Sequence, residues 1–175
     1  MKEKRGILSL FKGAKKDQTQ TYSTFKELNS YTAYFGMFGG DIYQSDDVRA
    51  CVRALSEHTS KANPRCTDSR IERLLSVNPN QYMNGKDMLA KLRNVLEIKN
   101  TAFLYIERDP LNRVIGFYPV PYASAQAVEY NNGLFIQFLF TGTATNQLTL
   151  PWEDLAVLRK DYLNSDIFGE SNGPL

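Results

Sequence analysis

The chain changes its hydrophobic period once, at Asn100, and this switch constrains the fold more than any other feature. Before it, apolar residues recur at helical spacing; after it, apolar and polar residues alternate. The first pattern belongs to amphipathic helices buried along one stripe, the second to strands with one face toward a core. A run of helices followed by a run of strands predicts an α+β fold with an antiparallel sheet.

Each helix carries its own start and stop signals. Ser45 is an N-cap candidate for "SDDVRACVRALSEHTSKANP", with Asp46 and Asp47 suited to the positive end of the helix dipole. Val48, Cys51, Val52 and Leu55 form its apolar stripe, and Asn63-Pro64 stops it after about Lys61. "DSRIERLLSV" places Ile71, Leu74 and Leu75 on one side before the breaker "NPNQYMNGKD". Asn84 caps a third helix in a variant of the capping box with Asp87, and Met88, Leu89, Leu92, Val95 and Leu96 form its buried stripe.

Beyond Asn100, "TAFLYIER" and "RVIGFYPV" flank the turn residues "DPLN" and predict a β-hairpin. "AQAVEY" and "LFIQFLFT" predict a second, with Asn132-Gly133 as the turn dipeptide. The run from Leu134 to Phe140 is apolar on both faces, which describes a central strand or one covered by a neighbouring subunit. "NQLTL" reads as a short strand, Pro151 as the start of a turn or helix with Glu153 and Asp154 in its first turn, and "AVLRK" as a last strand.

Two regions divide the chain: an arm and loop over 1–44, and an α+β domain over 45–175. Residues 1–16 hold six Lys or Arg and one Glu, whereas the remainder has 15 basic and 18 acidic residues. The basic start precedes too short an apolar piece for a signal peptide, with Lys12 interrupting it. Residues 17–30 are polar and read as a linker; residues 31–44, "YTAYFGMFGGDIYQ", read as an irregular loop that docks by its aromatics. "FGMFGG" lacks the Gly-Lys-Ser/Thr ending of a phosphate-binding loop. Cys51 and Cys66, the two cysteines, imply no disulfide framework and a reducing cytoplasm. No apolar run reaches the roughly 18 residues of a membrane span.

The residues that could carry chemistry are few. His58 is the single histidine, placed beside the apolar stripe of the first helix, where a boundary role is the expectation. Cys51, His58 and Cys66 lack the paired spacing and fourth ligand of a zinc site. Asp46 and Asp47 are explained by capping, and Asp161, Asp166 and Glu170 lack the alternating pattern of a calcium loop. The strand aromatics are not interleaved with Lys and Arg, as a stacking platform for single-stranded nucleic acid requires. The residues therefore assign no catalytic, cofactor-binding or metal site, and the expectation is a protein that is not an enzyme.

The order of these elements resembles a known family. "SDDVRACVRALSEHTSKANPR", then "RIERLLSVNPNQYMNGKDMLAKLRNVLEIKNTAFLYIERDPLNRVIGFYPVPYASAQAV", then "LPWEDLAVLRKDYLNSDIFGESNGPL" is similar to the N-terminal half of tailed-bacteriophage portal proteins. In that family a "V-x-A-C-V-R" helix leads to an "LL-x-x-x-PN" breaker and a further helix. An "N-A-Y-x-x-I-x-R-D" strand, an "L-x-P-L-x-P" segment and a final "DI-x-H-x-R … G-x-SPL" follow. The similarity covers about residues 45–175, and the opening "GILSLFKG" resembles the family's start. Lys99-Asn100-Thr101 stands where the family has Gly-Asn-Ala, Ala156 and Leu158 replace an Ile and a His, and Gly173 replaces a Ser.

The resemblance implies the wing part of a portal subunit, truncated before the stem, with Gly169, Gly173 and Pro174 turning the chain toward helices beyond it. It implies a homo-oligomeric ring, a dodecamer when full length, at the portal vertex of the virion, assembled in the host cytoplasm. Double-stranded DNA would pass through this ring in packaging and ejection. Terminase, capsid and scaffold proteins and the head-tail connector would be its partners, with no membrane. Two alternatives stand beside this: a small metal- or ligand-binding domain using the 161–170 loop, and a DNA-binding module working through the basic N-terminal arm.

Overall fold

Helical spacing before Asn100 and alternation after it produce the expected α+β fold, in three layers. The computed structural model describes residues 26–32, 45–140, 147–161 and 165–170. In chain order the elements are β1 (Lys26–Thr32), α1 (Asp46–Thr59), α2 (Ser69–Ser76), α3 (Gly85–Lys99), β2 (Thr101–Arg108) and β3 (Val114–Pro119). There follow β4 (Ser124–Tyr130), β5 (Gly133–Leu139), β6 (Gln147–Pro151), a 3-10 turn (Trp152–Asp154) and β7 (Leu155–Arg159). The basic tail over 1–16, all but the start of the 31–44 stretch, and Gly173 and Pro174 lie outside the described residues.

Capping residues act as their chemistry dictates. The Asp68 carboxylate accepts from the Arg70 and Ile71 amides, and the Asn84 side chain accepts from the Asp87 amide at 2.9 Å. Ser45 occupies the N-cap position of α1 without a side-chain cap bond, and that helix ends at Thr59, slightly before Lys61. Met88, Leu92 and Leu96 are buried on α3, while Leu89 and Val95 pack more peripherally.

The strands form two antiparallel sheets rather than one, ordered β1-β4-β5-β6 and β3-β2-β7. The reason lies in β2, where Thr101 to Leu104 are all buried. A strand buried on both faces needs a layer on each side. Ala102 and Leu104 meet Met88, Leu92, Leu96 and Phe117 on the helical side. Phe103, pointing the other way, meets Ile136 and Phe138 of the second sheet, with its ring edge-on to Phe138 at 5.0 Å and to Tyr122 at 5.4 Å.

β5 is a central strand, as its apolar run suggests: Ile136 and Phe138 are fully buried and it pairs with β4 and β6. Its hairpin turns one residue earlier than the Asn-Gly signal suggests. Tyr130 pairs with Gly133, and Asn131 and Asn132 occupy the two central positions with φ of 49° and 60°. Both adopt the left-handed conformation that a two-residue hairpin demands and that Asn tolerates. β1 takes up the end of the stretch read as linker and the first two residues, Tyr31 and Thr32, of the stretch read as an irregular loop; it pairs with β4 at the sheet edge, where a polar strand is accommodated.

α1 departs most from its pattern. Val52 and Ser56 are its buried residues, whereas Cys51 and Leu55 are exposed. The helix meets α3 partly through polar groups, with Ser56 Oγ donating to Asn94 Oδ1 at 2.5 Å. Its contact face is thus rotated away from the centre of its apolar stripe.

A polar junction ties the layers together. Asn100 ends α3 in the left-handed conformation, φ 53°, and is 1% exposed. Its carbonyl accepts from the Lys160 amide at 2.9 Å and its side chain donates to the Glu170 carbonyl. Thr101 Oγ1 accepts from the Gly169 amide at 2.8 Å, and the Thr101 carbonyl accepts from the Tyr122 hydroxyl at 2.7 Å. The returning segment places Ile167 and Phe168 in the core. Gly169 fits because a Cβ there would stand 2.1 Å from Asn100 O and 2.4 Å from Lys160 O. Gly169→Ala is expected to cost about 1–3 kcal/mol and to lower Tm by roughly 2–12 °C. Thermal unfolding followed by circular dichroism checks this, and an unchanged Tm would contradict the close approach.

Candidate functional site

The residues with chemical potential are kept apart by the fold. His58 is exposed in the last turn of α1, Cys51 is exposed on the same helix, and Cys66 is half-buried beyond it, its amide donating to Glu72 Oε2 at 3.3 Å. Asp46 pairs with Arg49 at the start of α1. Among the described residues no group of three or more His, Cys, Asp or Glu side chains could hold a metal ion.

The described residues of the 161–170 loop, 161 and 165–170, make main-chain and capping bonds. Asp161 adopts φ 52°, and its carbonyl accepts from the Glu170 amide at 2.8 Å. The Arg159 guanidinium donates to the Asp166 carbonyl, and Ser165 Oγ accepts from the Phe168 amide at 3.0 Å. The Asp161 and Asp166 positions are exposed.

Period-two reasoning alone does not find a cluster of phenols and charges at the far end of β2. The Tyr105 and Tyr118 rings lie 6.4 Å apart, Tyr118 is hydrogen-bonded to Glu107, and Arg108 Nε is 3.5 Å from Asp154 Oδ1. Burial, then the charge of Glu107 and their hydrogen bond, push the Tyr118 phenol well above its ordinary range. Burial and the charges of Asp154 and Glu107 raise Tyr105 in the same direction. Alternation along "FLYIER" and "IGFYPV" puts both tyrosines on one face; the signal available in the sequence is that pairing, once the hairpin register is known.

The described surface exposes several large apolar side chains. Val77, Tyr82 and Ile115 are 49%, 42% and 46% exposed, and Leu158 on the edge strand β7 is 39% exposed. The 77–83 loop lies along the outer edge of β3: the Phe117 amide donates to the Pro79 carbonyl at 2.7 Å, and Asn80 Nδ2 donates to the Phe117 carbonyl at 2.7 Å. Val77 and Tyr82 bracket this contact, and Ile115 lies two residues from Phe117. Exposed apolar residues on a loop and the strand edge it covers suit docking of a protein surface.

This fold is shared with chains of gene transfer agent particles. One match, described as the neck of an empty GTA particle computed with C6 symmetry, has a TM-score of 0.64 and 10% identity, covering 79% of this chain and 40% of that one. A second, from the virion of a native gene transfer agent particle, has a TM-score of 0.64 and 9% identity over 79% of this chain and 39% of that one. A third, from the neck of a native GTA particle computed with C12 symmetry, has a TM-score of 0.63 and 11% identity over 81% and 41%. The chain spans about two fifths of the length of these chains. No family model and no curated protein matches it.

The raised phenols give a pH dependence of definite sign. A phenol held protonated in the fold after the unfolded chain has lost its proton leaves stability whole below the unfolded pKa of about 10, and stability falls as pH rises beyond it. Urea midpoints are therefore expected to be flat from about pH 8 to 9.5 and to fall above about pH 10, with a shallower fall in Tyr118→Phe. An identical alkaline slope in wild type and Tyr118→Phe would contradict the assignment.

Proposed function

We propose that the chain is a structural component of a phage-like particle, the wing part of a subunit that forms a ring at the portal vertex. The supporting observation is the three-layer fold shared over about four fifths of this chain with neck and virion chains of gene transfer agent particles. The portal motifs running from Ser45 through Asn100 into the 161–170 loop narrow the reading from neck component to portal. In this role the protein is not an enzyme: it acts by shape and contact, forming a passage for double-stranded DNA and meeting terminase, capsid and scaffold proteins and the head-tail connector.

The architecture suits such work. Ring contacts require a body that keeps its shape under load, and each copy contacts two neighbours through different surfaces. A packed core on both faces of β2 supplies rigidity, while exposed apolar residues at the sheet edges remain for neighbours. Negative-stain electron microscopy of the natural full-length protein is expected to show closed rings with a central opening. A protein that stays monomeric at micromolar concentration throughout would remove the proposal.

A further inference from the structure

Charge is distributed unequally between the helices and the strands. Residues 45–100 carry ten Lys or Arg against seven Asp or Glu, whereas residues 101–170 carry four against eight. Much of this is neutralised internally, for example by Arg53 with Glu57, Arg65 with Glu72, and Lys160 with Glu97. Among the described charges outside any ion pair, Arg70 and Arg73 lie toward one edge of the three-stranded sheet, whose order is β3-β2-β7, and Glu153, Asp161 and Asp166 toward the other; further ones, including Asp47, Lys61, Lys86, Asp87, Lys91 and Glu129, lie on or beside α1, α3 and β4.

The β3 flank is basic and apolar. On α2, Ile71, Leu74 and Leu75 pack inward. Arg70, Arg73 and Val77, spaced three and four apart, share the opposite side, and both arginines are exposed. Neither has a carboxylate within ion-pair distance among the described residues. The 77–83 loop, held on Phe117 through Pro79 and Asn80, joins this side of α2 to the exposed Ile115.

The β7 flank is apolar and carries more carboxylates than cations, with Arg159 donating to the Asp166 carbonyl and Lys160 pairing with Glu97. β7 is an edge strand with Leu158 exposed; Glu153 stands exposed just before it, and Asp161 and Asp166 stand exposed just after it. These three carboxylates likewise have no cation within ion-pair distance among the described residues.

Resting on the ring reading above, we infer that neighbouring copies meet head to tail across these flanks, the α2–β3 flank of one copy seating on the β7 flank of the next. A closed ring needs two different, mutually complementary surfaces on opposite sides of the subunit. The two edges of one sheet meet that requirement, each offering apolar side chains with charge of opposite sign. Arg70 and Arg73 face Glu153, Asp161 and Asp166 across the contact, while Val77, Tyr82 and Ile115 bury against the Leu158 edge. Pro79 and Asn80 already occupy the β3 edge at Phe117, so side chains join the copies and the sheet does not continue from one to the next. Charge complementarity sets the register and direction of assembly and excludes β3-to-β3 pairing by like-charge repulsion.

The test uses the natural full-length protein in two charge-reversed forms, R70E/R73E and E153K/D166K, with R70K/R73K as the conservative control. Mass photometry reads ring content, and circular dichroism verifies folding. Each reversed variant alone is expected to lose the ring peak, R70K/R73K to keep it, and an equimolar mixture of the reversed variants to regain it, since each reversed flank then meets its reversed counterpart. Wild-type rings that persist in both reversed variants, or folded variants whose mixture fails to assemble, overturn this assignment and leave the ring reading in place. Absence of rings in the wild type removes both. Loss of DNA binding in R70E/R73E with ring content unchanged would identify the basic flank as a nucleic-acid contact and overturn the assignment.

Discussion

The fold depends on what happens at Asn100 and Thr101. The chain must leave a helix, reverse, and enter a strand buried on both faces, all within the interior. The polar groups exposed by such a reversal cannot be left unpaired away from water. Asn100 adopts a left-handed backbone at low cost, and its carbonyl and side chain, with the Thr101 hydroxyl and carbonyl, find partners in Lys160, Glu170, Gly169 and Tyr122. One junction therefore joins the helical layer, both sheets and the 165–170 segment. The apolar packing of Phe103 on one side and Leu104 on the other follows from the direction in which this junction launches β2.

How far the sequence reveals this depends on the range of the interaction concerned. Local chemistry was readable: Asp68 and Asn84 cap as their side chains suggest, and the change of period at Asn100 marks the helix-to-strand transition. The two-sheet arrangement is less readable, because alternation identifies two faces of a strand without saying what covers each. A hint is present in "TAFLYI", apolar at nearly every position, as a strand covered on both sides must be. The shift of the hairpin turn from Asn132-Gly133 to Asn131-Asn132 is a matter of register, decided by pairing Ala125 and Ala127 with Phe138 and Ile136 on the buried face. β1 escapes because an edge strand need not be apolar.

The candidate surface shows the same division. Individual residues are easy to classify from the sequence, and the absence of a triad or a paired zinc motif is plain in "SEHTSKANPRC". The flanks come from tertiary arrangement: the 77–83 loop is far from β3 in sequence and is seated on it through the bonds of Pro79 and Asn80 to Phe117. α1 shows the converse. Its stripe of Val48, Cys51, Val52 and Leu55 predicts a buried face, but contact with α3 selects Val52 and Ser56, and an apolar side chain left at a helix surface has no local signature.

The Asn100–Glu170 bond has one more implication, for the order of events on the ribosome. It links residues seventy positions apart, and the Thr101–Gly169 bond spans sixty-eight. Helices and hairpins built from near neighbours can form as they emerge, since their loops close cheaply. Ile167 and Phe168 belong to the core between the sheets, yet are among the last described residues to be synthesised. Phe168 supplies one of the edge-on ring contacts of Phe103, so the packing of Phe103 is incomplete until it arrives. The segment that seals the interior is thus among the last of the described residues to leave the ribosome, and the core between the sheets is complete only when it has done so.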